Sequence, residues 1–256
     1  NQEAYKWVLD RVGRRILLLD DFVSQLKSSR WNSTISELEG HEAVFNWRSK
    51  GYEQLVTQRA SIIRSVMLIT KMNILYADTD IHWLKDPRDI LKKKYSNYDI
   101  CIQREKGDQV GDYNCSGFLF LKYSSLVLNF LEAWEKYIKE RLEKPGFFTD
   151  QTEINALLRD IRFHNLNPKK YGRELYGIKA ETFDWDEFPS GINYFSRRVQ
   201  GKGKRTSTCQ SNVCAKYIWV PTRRRKKGQE RKSFIVHHNF AKTNSIKIAR
   251  AKEHGL

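Results

Sequence analysis

The run Ile74-Leu75-Tyr76-Ala77-Asp78-Thr79-Asp80 constrains this chain more than any other segment. Its first four residues read as a buried strand, and the strand breaks into two carboxylates separated by one residue. Two carboxylates at the end of a buried strand cannot both be hidden without a cation, because burying an unpaired charge is prohibitively costly. A divalent ion meets that need. Mg²⁺ and Mn²⁺ prefer carboxylate and phosphate oxygens, so a strand-end Asp-x-Asp suits a bridge from protein to diphosphate. Alone, the same pattern also serves as a solvated turn or a helix cap. Its surroundings must decide.

Those surroundings alternate helix and strand. Leu55, Ile62, Ile63, Val66 and Ile69 recur near three- and four-residue spacings, which predicts one amphipathic helix from about Tyr52 to Met72 just before the strand. Earlier, Ile16 to Leu19 followed by Asp20 and Asp21 predicts a buried parallel strand, and the polar residues 24–40 a surface loop. Later, Asp99 to Ile102 and Phe118 to Leu121 predict strands. Helices follow from about Ser124 to Leu142, ended by Pro145 and Gly146, and from Asp150 to about Arg159. Residues 165–232 read as irregular, before a strand at Phe234 to Val236 that runs into His237-His238-Asn239. Helix, strand, then acidic loop is the order of a βαβ unit, and open α/β sheets bind ligands at the carboxyl ends of strands.

Composition narrows the class further. The 256 residues are 40% hydrophobic and 12% aromatic, enough to build a core and to exclude wholesale disorder. No run approaches the roughly 18 consecutive apolar residues that a membrane helix needs. We therefore expect membrane contact only through an anchor that this chain does not carry. Lys and Arg number 46 against 30 Asp and Glu, a formal charge of +16, so the surface attracts anions: a nucleotide diphosphate, an acidic glycan or nucleic acid. The basic clusters at Arg197-Arg198, Lys202 to Arg205 and Arg223 to Lys227 are read first as solvated loop. Cys209 and Cys214 suit a small disulfide loop in an oxidising compartment or two free thiols, and no cysteine spacing matches a zinc site. Asn32-Ser33-Thr34 fits a glycosylation acceptor.

The segment from Ile74 to Pro87, ILYADTDIHWLKDP, resembles the signature of the nucleotide-diphospho-sugar transferase family that includes plant cell-wall xylosyl- and arabinosyltransferases. Further matches follow in the family's order. They are Asn114-Cys115-Ser116-Gly117-Phe118-Leu119, Thr149-Asp150-Gln151 with Asn155 beyond it, Phe188-Pro189-Ser190-Gly191, and Val236-His237-His238-Asn239. The resemblance runs from about Val44 to the C-terminus, with Asp20 a weaker earlier match. It implies a GT-A-type, Rossmann-like, mostly parallel sheet flanked by helices in a single catalytic domain over 1–256. The donor-binding half would be about 1–122 and the acceptor half about 123–256.

By the same resemblance, Asp80 coordinates Mn²⁺ or Mg²⁺, Asp78 meets the metal or the donor's ribose and sugar, and His237 is the late metal ligand. Arg59 lies where similar enzymes carry a basic residue near the donor, though an ordinary helix-surface arginine fits the pattern equally. Gly117 would let a bound sugar approach the backbone. Asn114, Asp150 and Gln151 would face the donor sugar or acceptor hydroxyl at the reaction centre, although Asp150 also reads as a plain helix cap. Asn114 forms a glycosylation sequon too, which a buried position would close to modification. Where the family usually has a glycine after the late histidine, this chain has Ala241-Lys242-Thr243-Asn244. Lys242 or Lys247 would then reach the pyrophosphate, or both are surface lysines.

The resulting expectation is a metal-dependent glycosyltransferase moving a pentose or galactose from a UDP-sugar to a glycan or glycoprotein hydroxyl, with retention. Its acceptor would include an acidic one, no nucleic acid is expected, and the Golgi lumen or another secretory compartment would house it. The rival readings are a basic nucleic-acid- or acidic-glycan-binding protein without turnover and a transferase-derived lectin.

Overall fold

The computed structural model describes residues 56–191 apart from 106–108, 145 and 147, together with 196–200, 217–221, 233–237 and 247. The chain divides between Trp47 and Arg48, and every described residue belongs to the second unit, Arg48–Leu256. The strand expected at 16–19, the loop at 24–40, Lys242, and the Cys209 and Cys214 pair lie outside the described residues.

Helix α1 (Arg59–Thr70) buries Ala60, Ile63 and Met67, spaced three and four apart so that they share one stripe. It stops at Lys71, which takes the left-handed conformation and donates its backbone N–H to Met67 O. Strands β1 (Ile74–Ala77) and β2 (Ile81–Trp83), helix α2 (Arg88–Lys94), and strands β3 (Ile100–Arg104) and β4 (Asn114–Leu121) follow. Then come helices α3 (Ser125–Leu142), α4 (Asp150–Arg162) and α5 (Pro168–Tyr171), a 3₁₀ turn at Arg173–Gly177, and strands β5 (Ala180–Thr182), β6 (Ser196–Gln200), β7 (Tyr217–Pro221) and β8 (Ile235–His237).

The main sheet has the order β1-β4-β3-β5. Strand β3 pairs with β5 in parallel, whereas β4 is antiparallel to both β1 and β3. Two smaller antiparallel pairs, β2 with β8 and β6 with β7, complete the described strands. The fold is thus mixed α/β, a parallel-containing sheet flanked by helices. The stretch 165–232, expected to be irregular, contains α5, the 3₁₀ turn, β5 and the β6–β7 pair. Those elements are three to five residues long, too short to show a period.

Strand β4 is buried along its whole length. On one face Leu119 and Leu121 join Ile100 and Ile102 of β3, and helices α1, α3 and α4 cover them with Met67, Phe130, Trp134 and Leu157. On the other, Phe118 and Phe120 join Cys101, under Leu91, Tyr95, Phe183, Phe188 and Ile235. The period-two alternation of β4 therefore feeds two cores, and each fully buried Leu or Phe contributes about 1.5–3 kcal/mol. No helix among the described residues is long and apolar enough to cross a membrane.

The sheet is irregular at one place. Ile102 pairs with Leu119, but the next residue, Gln103, pairs with Cys115, so Ser116, Gly117 and Phe118 have no counterpart on β3. Phe118 pairs instead with Ala77 of β1, and Gly117 O accepts the backbone N–H of Asp78 at 2.8 Å. Such an excess of residues on one strand bends it and re-aims its side chains.

Candidate active site

The irregular stretch of β4 lies directly beside the acidic pair. Strand β1 ends at Ala77, and the chain turns at once: the backbone N–H of Ile81 donates to Asp78 O at 3.2 Å, closing a turn over Asp78-Thr79-Asp80. Ile81 then pairs with His237 at the end of β8. One ligand atom each of Asp78, Asp80 and His237 thereby lies within 4.8 Å of the others. His237 Nε2 is 3.1 Å from Asp80 Oδ1, and Lys247 Nζ donates to Asp80 Oδ2 at 2.6 Å. Burial works against charge on Asp80, yet the hydrogen bonds and charges of His237 and Lys247 hold its carboxyl well below the usual range.

The donor set fits a divalent ion: two carboxylates and one imidazole whose ligand atoms converge. Gly117 gives the cluster its room. A Cβ at that position would stand 2.3 Å from Asp78 Oδ2 and 2.8 Å from His237 Cε1. On its Cβ side Gly117 thus meets the protein's own Asp78 and His237, and the glycine accommodates their close approach.

Arg59 is not a surface residue. From the first turn of α1, Nε donates to the Tyr76 hydroxyl at 3.1 Å, Nη1 to Ser116 Oγ at 2.6 Å and to Asp150 Oδ2 at 2.5 Å, and Nη2 to Asp78 Oδ1 at 3.1 Å. The Tyr76 hydroxyl in turn donates a hydrogen bond to Asp78 Oδ1 at 2.8 Å. Burial alone would lower the Arg59 pKa, but the charges of Asp150 and Asp78 raise it above the ordinary guanidinium value.

Helix α4 brings the second half of the site. Its cap is Thr149, whose hydroxyl accepts the Thr152 N–H in a capping box, so the cap role considered for Asp150 falls to its neighbour. Asp150 is left free to face Arg59. Burial pushes its carboxyl up, against the pull of Arg59. Its main-chain oxygen is fixed by Trp134 Nε1 at 3.0 Å. The Gln151 amide donates to Glu105 Oε2 at 2.8 Å.

Asn114 is fully buried, which closes its sequon to modification. Its Oδ1 accepts the Gly111 N–H at 2.6 Å and its own N–H donates to Asn155 Oδ1 at 2.9 Å. Asn155 in turn donates to the main-chain oxygens of Asn114 and Gln151, and so ties β4 to α4. Asn114 Nδ2 has no hydrogen-bond partner among the described residues.

The structure therefore gathers Arg59, Asp78, Asp80, Gly117, Asp150, His237 and Lys247 around one cluster, and joins Asn114 and Gln151 to each other through Asn155. Sequence reasoning missed Tyr76, Gln103, Glu105 and Ser116. Gln103 Oε1 lies 2.7 Å from His237 Nδ1. A polar side chain directly after the apolar run Ile100-Cys101-Ile102 was the available signal.

A family model described as nucleotide-diphospho-sugar transferase matches residues 16–250. A UDP-galactose:fucoside alpha-3-galactosyltransferase of Dictyostelium discoideum is 22% identical over 176 residues, covering 64% of this chain and 26% of that protein. The chain thus spans about a quarter of that relative's length. No solved structure matches it significantly. Since the family model covers nearly the whole sequence, the chain belongs to the nucleotide-diphospho-sugar transferase family of glycosyltransferases.

Proposed function

We propose that this chain transfers galactose or a pentose from a UDP-sugar to a hydroxyl of a glycan or glycoprotein, with retention, using Mn²⁺ or Mg²⁺ held by Asp78, Asp80 and His237. The observation that carries the reading is the convergence of those three side chains within 4.8 Å. The galactosyltransferase relative supports the choice of UDP and of galactose.

A divalent ion bound there supplies positive charge to the leaving diphosphate. The protein supplies the rest. Arg59 fixes the angle between Asp78 and Asp150, so the two carboxylates cannot swing together as a donor enters. Lys247, within reach of Asp80, and Lys242 offer ammonium groups to the pyrophosphate. Asp150 and Gln151 belong to the side from which the sugar and acceptor hydroxyl are met, with Glu105 and Asn155 holding Gln151 in place and the buried Asn114 supporting Asn155. Transfer with retention proceeds by attack of the acceptor on the face from which UDP leaves, a route that requires no covalent nucleophile. Residence in the Golgi lumen or another secretory compartment belongs to the same proposal, supported by the Asn32 sequon and the Cys209 and Cys214 spacing.

UDP release from UDP-galactose, UDP-xylose and UDP-arabinose, with Mn²⁺ and with chelator, tests the reading. Release from at least one donor that chelator abolishes is the expected result. Release with none of the three, or release indifferent to chelator, would overturn it.

A further inference from the structure

We infer that Gln103 is a positioning residue that keeps the proton of His237 on Nδ1 and so presents Nε2 to the site of Asp78 and Asp80. The inference rests on the metal reading above and deepens it. Gln103 is wholly buried, and its amide is fixed at both ends. The nitrogen end donates to Phe188 O at 3.2 Å and Pro189 O at 3.1 Å. Carbonyl oxygens only accept, so the NH₂ group must occupy that end. The other end, Oε1, is then an obligate acceptor 2.7 Å from His237 Nδ1. A lone pair on Nδ1 would set two acceptors against each other in a site closed to water. An N–H there satisfies both.

Among the described residues, Nδ1 has one other hydrogen-bonding neighbour, Cys115 Sγ at 3.8 Å, and a sulfur is too weak an acceptor to displace the amide oxygen. The His237 side chain is only 2% exposed, so water cannot take the place of Gln103. With Nδ1 committed, Nε2 is the nitrogen facing Asp80 Oδ1 at 3.1 Å, and a cation bound there would take the place of any proton that Nε2 donates to Asp80 in the ion-free protein. The arrangement also gives the Phe188-Pro189-Ser190-Gly191 segment a physical role: two successive carbonyls read the amide of Gln103, and Gln103 reads the imidazole.

Two measurements test this. In ¹⁵N NMR of the histidine rings, His237 Nδ1 should be protonated both in the ion-free protein and with Mg²⁺; an unprotonated Nδ1 in the wild type overturns the assignment without any variant being needed. By calorimetry, Gln103→Met, which keeps the volume and removes the amide, should weaken Mn²⁺ binding about 10- to 100-fold. Gln103→Glu, which keeps an oxygen to accept from Nδ1, should recover part of that loss. A folded Gln103→Met protein with wild-type Mn²⁺ affinity would refute the role. A wild-type protein that binds no divalent ion would instead remove the metal reading, while the ring spectra still report on Gln103 separately.

Discussion

Arg59 donates to Asp150 at 2.5 Å, a buried contact that joins the first turn of α1 to the first turn of α4. The same guanidinium holds Asp78 at 3.1 Å. One side chain thus sets the distance between the acidic turn after β1 and the helix that carries Gln151.

Removing it strands two carboxylates. Arg59→Ala should destabilise the fold by about 3–5 kcal/mol, because an uncompensated buried Asp150 remains. Arg59→Lys keeps the charge but cannot reach four partners, so it should lose most transfer activity while retaining more stability than the alanine variant. Denaturant unfolding together with UDP release checks both. An Arg59→Lys protein with wild-type turnover would show that the fourfold contact does not matter to transfer.

Asp80→Asn removes a charged ligand at nearly constant volume from a partly exposed position. Transfer should fall about 100-fold or more while the fold stays intact, with some stability lost because His237 and Lys247 no longer face a carboxylate, and Asp78→Asn should be comparably impaired. His237→Ala should act mainly on metal-dependent UDP binding. Calorimetry showing unchanged UDP affinity in Mn²⁺ would take His237 out of the site.

Gly117→Ala tests the cradle. Its Cβ would displace Asp78 or His237, so Mn²⁺ binding should weaken sharply, with a stability loss of about 1–3 kcal/mol from overpacking. If alanine leaves Mn²⁺ affinity intact, the close approach at Gly117 is relieved elsewhere.

How far the site was legible in the sequence follows from how each part is encoded. Asp78, Asp80 and His237 stand at strand ends, where a strand's last apolar residue marks the place, but the role assigned to His237 came from the family resemblance and not from its position. Arg59 was balanced between donor contact and helix surface, because helical spacing locates a helix but does not say what its first turn faces. Gln103, Glu105, Tyr76 and Ser116 were invisible as site residues. Their roles depend on the register break opposite Ile102 and Gln103, and register between segments is not written in either segment alone. The same holds for β5, whose three residues acquire a partner only by lying beside β3.

The cluster at Arg223 to Lys227 lies outside the described residues and tests what the +16 charge serves. If the acceptor is a sulfated or uronic-acid-bearing glycan, neutralising Arg223, Arg224 and Arg225 should raise the acceptor KM and flatten its salt dependence, with donor hydrolysis unchanged. Unaltered acceptor kinetics across a salt series would mark the cluster as solvated loop. Loss of tight duplex binding would favour a nucleic-acid partner.

Strand β4 is buried from Asn114 to Leu121, and the residues that cradle the acidic turn are its own first half. Its residues Leu119 to Leu121 pair with both neighbouring strands, so hydrogen exchange there requires the sheet to come apart. The cradle at Gly117 is therefore continuous with a segment paired on both sides. Its loss on heating or in denaturant should then accompany the separation of β4 from β1 and β3.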